Sequence, residues 1–290
     1  MDAQNPTVDR VEKLSIPASL KVNQKGLVTV GNKPLHIKQS GDPKGPPAIF
    51  IHGLGGTMDY WTPLVELTKF KSSYNCVLFD LEGHGLSPTS PLSKLSIASF
   101  AADVKSLASH FGITSGLTLV AHSMGCLVAL KCAQENPGLV SKLILVGPPP
   151  NPLPDAASKG SHARADLVRV EGMGAVVDAV STAGTSQKTK TSNPLALSAV
   201  RLSLLGQSAE GYAKACSALA EATDSLDLES IKAETLILTG AEDKVSSVEV
   251  CEGYKKRLPK VVSLEVLPDV GHWHVFEDVA GVAHAVEKVL

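Results

Sequence analysis

The sequence predicts an α/β protein with a mostly parallel central sheet, flanked by helices and interrupted by one inserted helical segment. Short, continuously apolar runs recur along the chain, as is typical of strands buried on both faces. Helical patterns separate most of them, and this alternation favours a parallel sheet with helices on both faces. The predicted strands are residues 27–30, 35–38, 48–52, 76–80, 117–121, 142–146, 235–239 and 262–267.

Helical periodicity is found in the segments between and after these runs. Residues 97–111, 123–135, 248–258 and 275–290 each place apolar side chains on one face at the spacing of an α-helix. The first two strand runs are joined by the turn-forming residues 31–34, "GNKP". They therefore predict an antiparallel hairpin ahead of the parallel sheet.

The alternation stops once, after the predicted strand 142–146. Residues 151–234 carry helical patterns and no convincing strand. In sheets of this kind ligands bind at the carboxyl ends of the strands, so the insertion is predicted to be a cap over those ends. The core domain is then residues 1–150 and 235–290, with the cap at 151–234. A Ser/Thr/Lys-rich piece of the cap, residues 181–194, is predicted to be a mobile loop.

Composition narrows the classes of partner. A net charge of −2, with 43% hydrophobic and 19% charged residues, gives no electrostatic footprint for nucleic acid or anionic lipid. We therefore expect the protein to bind a small molecule and to bind neither nucleic acid nor a membrane. The five cysteines form no CxxC pair and are expected to be free thiols. The first twenty residues contain acids and a proline instead of an apolar signal core, so the predicted location is cytoplasmic.

Ser123 is the first candidate for chemistry, because it stands between a predicted strand and a predicted helix. A nucleophile elbow at such a turn needs small residues two before and two after the serine, and Ala121 and Gly125 meet this condition. The helix N-terminus would also favour developing negative charge. An ordinary N-cap serine fits the same pattern, so this stretch alone does not decide.

A glycine-rich loop follows the predicted strand 48–52, in the sequence "FIHGLGGT". Glycines there let the backbone turn its N–H groups inward. The amides of Leu54 and Met124 are therefore predicted to form an oxyanion hole.

An acid and a base follow two later strands. Asp243 is preferred to its neighbour Glu242 as the acid, and Asp269 would serve only if its loop folded back. His272 is the predicted base, while His274 is its competitor and is expected to line the pocket or cap the last helix. The order Ser, Asp, His is the one expected for a serine hydrolase on a doubly wound sheet.

Five segments together resemble one family. They are "HGLGG" (52–56), "FDLEGHGLS" (79–87), "AHSMG" (121–125), "GAEDKV" (240–245) and "GHWHVFE" (271–277). With them the chain resembles α/β-hydrolases with a helical cap, in the branch of small-ester hydrolases and 3-oxoadipate enol-lactonases. Residues 168–180 and 209–223 resemble the cap helices of the enol-lactonases. The chain departs from the family at Glu82, where Arg is common, and at 181–187, where an aromatic pair is usual.

The resemblance implies a serine hydrolase that cleaves a small carboxylic ester or an (enol-)lactone. Ser123 would be the nucleophile, His272 the general base and acid, and Asp243 the group that orients the imidazole. No metal or other cofactor is expected, since this chemistry needs none and the sequence has no metal-binding motif. The residues expected to shape a largely apolar pocket are His52, Gly53, Trp61, His122 and Trp273.

Two other functions use the same fold and the same three residues. The first changes the bond, as in the carbon–carbon cleavage of a dienone-type compound or a cofactor-free haloperoxidase-like reaction. The second is a small-molecule receptor on a hydrolase scaffold, with slow turnover. Turnover on panels of esters and lactones distinguishes an enzyme from such a receptor.

Overall fold

A computed structural model describes residues 27–290 of the chain. The first twenty residues, from which a cytoplasmic location is predicted, lie outside this range. Eight strands form one sheet in the order β1-β2-β4-β3-β5-β6-β7-β8. The strands are β1 (Leu27–Val30), β2 (Lys33–Gly41), β3 (Pro47–Ile51), β4 (Asn75–Phe79), β5 (Leu117–His122), β6 (Val140–Val146), β7 (Glu234–Gly240) and β8 (Val261–Leu267).

The pairing of the strands confirms the predicted fold class. β1 and β2 form the expected antiparallel hairpin, with Val30 opposite Lys33, and β2 is antiparallel to β4. All other neighbouring strands are parallel. The chain passes from β3 to β4 and then returns to the other side of β3 to form β5. The carboxyl ends of β3 and β5 therefore flank the point where the strand order reverses, which is where such sheets bind ligands.

Twelve helices surround or interrupt the sheet in the described range. They are α1 (Thr62–Leu67), α2 (Phe70–Ser73), α3 (Ile97–His110), α4 (Met124–Glu135), α5 (Asp155–Glu171), α6 (Gly174–Gly184), α7 (Gln187–Ser192), α8 (Pro194–Leu205), α9 (Ala209–Ala220), α10 (Val248–Arg257), α11 (His274–Glu277) and α12 (Val279–Glu287). Two short 3₁₀ helices, Met58–Trp61 and Leu228–Ser230, complete the set.

The core lies on both faces of the sheet, as the continuously apolar strands predict. Along β3, Ile49 and Ile51 pack into a cluster with residues of α3, α4 and α10. Ala48 and Phe50 point the other way, into a cluster with residues of α1 and α12. Successive side chains of a strand alternate between faces, so an element buried on both sides must be apolar throughout.

Helices α5 to α9 lie between β6 and β7 and account for most of the predicted cap. We keep residues 151–234 as the proposed cap and the rest of the chain as the proposed core. The mobile loop predicted at 181–194 is wrong: α6 continues to Gly184, and α7 and α8 follow almost at once. Ser186 and Asn193 accept hydrogen bonds from the amides of Thr189 and Ala196, so the polar residues cap consecutive helices.

The prediction of one long helix at 275–290 is also wrong, because the helix is interrupted at Asp278. This residue has φ −149° and ψ 73°, and its carboxylate accepts a hydrogen bond from the amide of Gly281 at 2.9 Å. It therefore ends α11 and caps α12.

Two further expectations concern the cysteines and the membrane. All five cysteines are free and buried, which confirms the expected thiols. Between residues 27 and 290, none of the helices has the length and apolar character needed to cross a membrane.

Candidate active site

The turn that carries Ser123 joins β5 directly to α4. Ser123 has φ 51° and ψ −124°, and only one other non-glycine residue of the described chain has a positive φ. A Cβ on Gly125 would lie 2.6 Å from the carbonyl oxygens of both Ile51 and His52. A small residue is therefore required two positions after the serine, as a nucleophile elbow demands.

The side chains of Ser123, His272 and Asp243 form a continuous hydrogen-bonded chain. The Ser123 hydroxyl is 2.8 Å from Nε2 of His272, and Nδ1 of His272 is 2.8 Å from Oδ2 of Asp243. The second carboxylate oxygen, Oδ1, accepts the amides of Val245 and Ser246, each at 2.8 Å. The carboxylate is thus held from both sides, and the imidazole is aligned between acid and hydroxyl.

Electrostatics keeps this acid in its ionised form. Burial alone would raise the pKa of Asp243, but the nearby His272 and His274 hold it well below the usual range. Since the carboxylate accepts the Nδ1 proton of His272, Nε2 of that ring is left to accept the proton of the Ser123 hydroxyl. This is the arrangement in which a serine becomes nucleophilic.

The other candidate acids and the second histidine lie outside the hydrogen-bonded chain of Ser123, His272 and Asp243. Glu242 accepts the amide of Gln187 at 2.8 Å, and exposed Asp269 lies 3.6 Å from Lys188. His274 is fully buried, and it is absent from the lining of the cavity at Ser123. The expectation that His274 lines the pocket or caps a helix is therefore wrong, because its ring turns inward towards Asp243, with Nε2 3.3 Å from Oδ2.

The loop after β3 comes close to the elbow, as its glycines predict. A Cβ on Gly53 would lie 2.8 Å from Cβ of Ser123, so the backbone can approach only because this residue is glycine. Leu54, the next residue, lines the same cavity as Ser123. Within residues 27–290, neither the Leu54 nor the Met124 amide donates a hydrogen bond to another residue, which leaves both available to an oxyanion.

Of the five residues predicted to shape the pocket, Trp273 lines the cavity. The other four, His52, Gly53, Trp61 and His122, lie behind its wall, and their predicted contact with a ligand is corrected accordingly. Trp61 is fully buried against Phe50, Tyr60 and His122. Trp61 and the two histidines thus support the site instead of lining it.

His52 and His122 each hold one loop of the site in place. His52 donates from Nδ1 to the carbonyl of Gly53 at 2.8 Å and accepts the amide of Leu81 at Nε2, at 2.9 Å. His122 donates from Nε2 to the carbonyl of His272 at 2.8 Å. The first bond fixes the loop of the proposed oxyanion hole, and the second fixes the backbone of the proposed base.

A cavity of about 430 Å³ opens at Ser123, between the core and the helices α5, α6 and α9. Its walls are mostly apolar and include Leu54, Val180 and Leu219. Arg164 and Lys244 also line it, while no Asp or Glu does. The space suits a small organic molecule with an apolar body.

Glu277 is a residue that the sequence reasoning did not single out. Its carboxylate oxygen Oε2 accepts the amides of Ser186 (2.8 Å) and Gly271 (3.1 Å) and the hydroxyl of Thr189 (2.8 Å), while Oε1 accepts the amide of Trp273 (3.1 Å). It thereby joins the start of α7 to the loop of His272. The only signal for it was its place at the end of "GHWHVFE".

Glu82 stands where Arg is common in the family that the chain resembles, and its neighbours explain the acidic residue. Glu82 is almost fully buried and pairs with Lys33 at 2.9 Å, which also pairs with Asp103 at 2.8 Å. These three residues lie away from the lining of the cavity at Ser123. Glu82 therefore belongs to an ion-pair cluster that joins β2, the loop after β4 and α3.

Metal ligands need several suitable side chains close together. In the part of the chain that the structure describes, no three His, Cys, Asp or Glu side chains are grouped in this way. The absence of a metal from the reaction stays a prediction from the residue chemistry of a serine nucleophile.

Known proteins share this fold and this arrangement of elements. A sequence profile described as alpha/beta hydrolase fold matches residues 46–172. The chain is 29% identical to 3-oxoadipate enol-lactonase 2 of Acinetobacter baylyi over 274 residues, which cover 92% of this chain and 96% of that protein. It also matches the solved structure of a thermophilic esterase from Thermogutta terrifontis, with 26% identity, a TM-score of 0.82, and 91% of this chain and 95% of the other covered.

A second solved structure, the enol-lactonase from Burkholderia xenovorans LB400, shares the fold at 20% identity with a TM-score of 0.79, covering 90% of this chain and 98% of the other. The sheet and these matches define the class of structure: the chain has the α/β-hydrolase fold. Among proteins with this fold, it is similar to 3-oxoadipate enol-lactonases and to esterases.

Proposed function

We propose that the protein is a serine hydrolase that cleaves a small carboxylic ester or a lactone. The observation that carries the proposal is the chain of 2.8 Å contacts from Ser123 through His272 to Asp243 at the floor of a cavity. The similarity to 3-oxoadipate enol-lactonases and to an esterase supports this choice of bond.

Acylation begins with the Ser123 hydroxyl. Its oxygen attacks the carbonyl carbon of the ester or lactone while its proton passes to Nε2 of His272. The amides of Leu54 and Met124 stabilise the oxyanion, an effect worth about 3–4 kcal/mol per donor in comparable sites. The carbon–oxygen bond to the leaving group then breaks, and His272 gives its proton to the departing oxygen.

Deacylation repeats these steps with water. His272 takes a proton from water as it attacks the acyl-enzyme, and the proton then returns to Ser123. The products are a carboxylic acid and an alcohol, or one hydroxy acid or its keto form when the substrate is a lactone. Asp243 keeps the imidazole oriented and stabilises its charged form in both halves.

The test compares Ser123→Ala with Ser161→Ala on p-nitrophenyl esters and small lactones. Ser161 is a matched control because it is also a buried serine that lines the cavity. We expect Ser123→Ala to lower kcat by about 10³-fold to 10⁶-fold, since the nucleophile is lost, and Ser161→Ala to stay near wild type. Undiminished hydrolysis by Ser123→Ala would overturn the mechanism, while very slow wild-type turnover with ligand-induced stabilisation would favour a receptor.

We also propose that the substrate carries an anionic group, such as a second carboxylate. Arg164 is half-buried at the cavity, its guanidinium lies beside the Tyr212 hydroxyl, and no carboxylate lines the same space. The salt bridges of arginines in the described range involve Arg169, Arg201 and Arg257 but not Arg164. A half-buried guanidinium without a carboxylate partner suits a ligand that supplies one.

The expected result is a change in KM that depends on substrate charge. Arg164→Met should raise KM for a mono-p-nitrophenyl dicarboxylate by about tenfold, the effect of one charge-assisted hydrogen bond, and leave a neutral p-nitrophenyl ester nearly unchanged. Arg169→Met is the control, since this arginine of the same helix pairs with Asp166 and Glu210. Equal effects of Arg164→Met on both substrates would contradict the assignment.

A further inference from the structure

His274 is a buried titratable group that the proposed mechanism does not use. It is the first residue of α11 and is fully buried. A Cβ on Gly147, which has φ +62°, would lie 2.6 Å from Cε1 of His274, so the glycine leaves the room that this ring occupies. The ring is therefore fitted tightly into the wall behind Asp243.

The polar group that the His274 ring faces is the carboxylate of Asp243. Nε2 of His274 lies 3.3 Å from Oδ2, and neither ring nitrogen has an aligned hydrogen-bond partner among residues 27–290. A fully buried imidazole without a hydrogen-bond partner costs free energy, and such groups are rare in well-packed cores. Contact with the proposed catalytic acid is the one compensation that the surroundings offer.

The same oxygen of Asp243 also serves the proposed base. Oδ2 is 2.8 Å from Nδ1 of His272 and 3.3 Å from Nε2 of His274, while Oδ1 is occupied by two backbone amides. The two imidazoles therefore share one carboxylate oxygen, Oδ2. A donor at Nε2 of His274 draws charge away from the bond that the carboxylate makes to His272.

Burial moves the pKa values of four neighbouring ionisable groups away from their ordinary values. Burial lowers the pKa of His122 well below its ordinary value, and burial raises the pKa of Tyr60 and Cys126 well above theirs and that of Cys251 to about 12. Glu277, on the same helix, turns its carboxylate to backbone amides and the Thr189 hydroxyl. Among the groups named here, Asp243 is the carboxylate that the two imidazoles contact.

We propose that His274 is a positioning residue that shares Oδ2 of Asp243 with His272 and thereby limits how strongly the carboxylate holds the protonated base. The inference rests on the proposed function, because it concerns the same hydrolytic cycle. With His274 in place, His272 gives its proton to the leaving oxygen readily. Without it, the full charge of Asp243 acts on His272, so the imidazole keeps its proton to higher pH and releases it more slowly.

The test compares two amide variants of His274 that differ in reach. The side chain of His274→Gln brings an N–H close to the position of Nε2, whereas that of His274→Asn keeps a buried amide but ends near the position of Nδ1. For each variant, kcat and KM are measured against pH on a p-nitrophenyl ester. In parallel, the proton between His272 and Asp243 is followed by NMR through the same pH range, which does not depend on turnover.

For His274→Asn we expect kcat to fall by up to about tenfold, because the 3.3 Å contact is weaker than an aligned hydrogen bond to a charged group, with KM nearly unchanged. The midpoint of the acidic limb should rise by about half a pH unit or more, in the rate profile and in the NMR titration alike. His274→Gln should stay close to wild type in both, and it carries the test alone if the asparagine variant does not fold. Its result then supports the proposal if kcat and midpoint are retained.

Two results would overturn the role of His274. One is an acidic limb that coincides with wild type in His274→Asn; the other is an equal loss of kcat in both variants with an unmoved midpoint, which marks a purely structural histidine. If His274→Asn does not fold, a reduced kcat with an unmoved midpoint in His274→Gln has the same meaning. A wild-type protein that hydrolyses no ester or lactone would instead overturn the proposed function.

Discussion

Replacing His272 with alanine is expected to lower kcat by about 10⁶-fold, as is typical when the base of a serine hydrolase is removed. Nε2 of His272 is the nitrogen within hydrogen-bond reach of the Ser123 hydroxyl, at 2.8 Å. Without it the serine keeps its proton, and the leaving oxygen has no acid. The measurement is kcat and KM on a p-nitrophenyl ester, with circular dichroism to check the fold.

The matched control for that change is the second histidine of the same loop. His274→Asn should cost no more than about tenfold in kcat, because this ring acts through Asp243 and not on Ser123. The reverse ranking, with His274→Asn inactive and His272→Ala active, would show that the base had been assigned to the wrong residue.

Replacing Gly125 with alanine is expected to destabilise the protein severely and to abolish hydrolysis. The new Cβ would lie 2.6 Å from the carbonyl oxygens of Ile51 and His52, and backbone atoms cannot move aside as the end of a side chain can. The turn at Ser123 and strand β3 must separate, at a cost of about 3 kcal/mol or more. Thermal unfolding and ester hydrolysis measure the two effects.

Ala121→Gly provides the comparison on the other side of the serine. Ala121 is fully buried in β5 opposite Leu145 of β6, and the change there removes only a methyl group and adds backbone freedom. We expect a loss of about 1 kcal/mol with hydrolysis retained. A Gly125→Ala variant as stable and as active as Ala121→Gly would contradict the account of the elbow.

The parts of the fold that could be predicted are those fixed by local patterns. Strands buried on both faces must be continuously apolar, so β3 and β5 stand out from the sequence alone. The loops that follow such strands reach one edge of the sheet, which is why Ser123, Asp243 and His272 could be grouped before any distance was known. The hairpin of β1 and β2 was readable from its turn residues.

The parts that could not be predicted depend on contacts between distant residues. Residues 181–194 have the composition of a loop, yet Ser186 is held by Glu277, 91 positions later in the chain. Local composition carries no information about such a partner. The break at Asp278 had a similar cause, since a capping aspartate interrupts a helical pattern without changing its apolar period.

The pocket was the least predictable part of the site. His52 and His122 lie close to Ser123 in the sequence or the fold, but both point into the protein and bind backbone groups there. Residue type does not tell whether a histidine lines a cavity or supports its wall. Arg164 and Glu277 lie far along the chain from Ser123, and the contacts that bring Arg164 to the cavity and Glu277 to Ser186 depend on the packing of the cap helices.

The central claim is that Ser123 is the nucleophile, and a covalent label tests it most directly. The wild-type protein is treated with a fluorophosphonate, digested, and the modified peptide is located by mass spectrometry. We expect a single phosphonylated residue, Ser123, with labelling lost in Ser123→Ala and retained in Ser161→Ala. A label on another residue, or no label on a folded protein that hydrolyses esters, would contradict the claim.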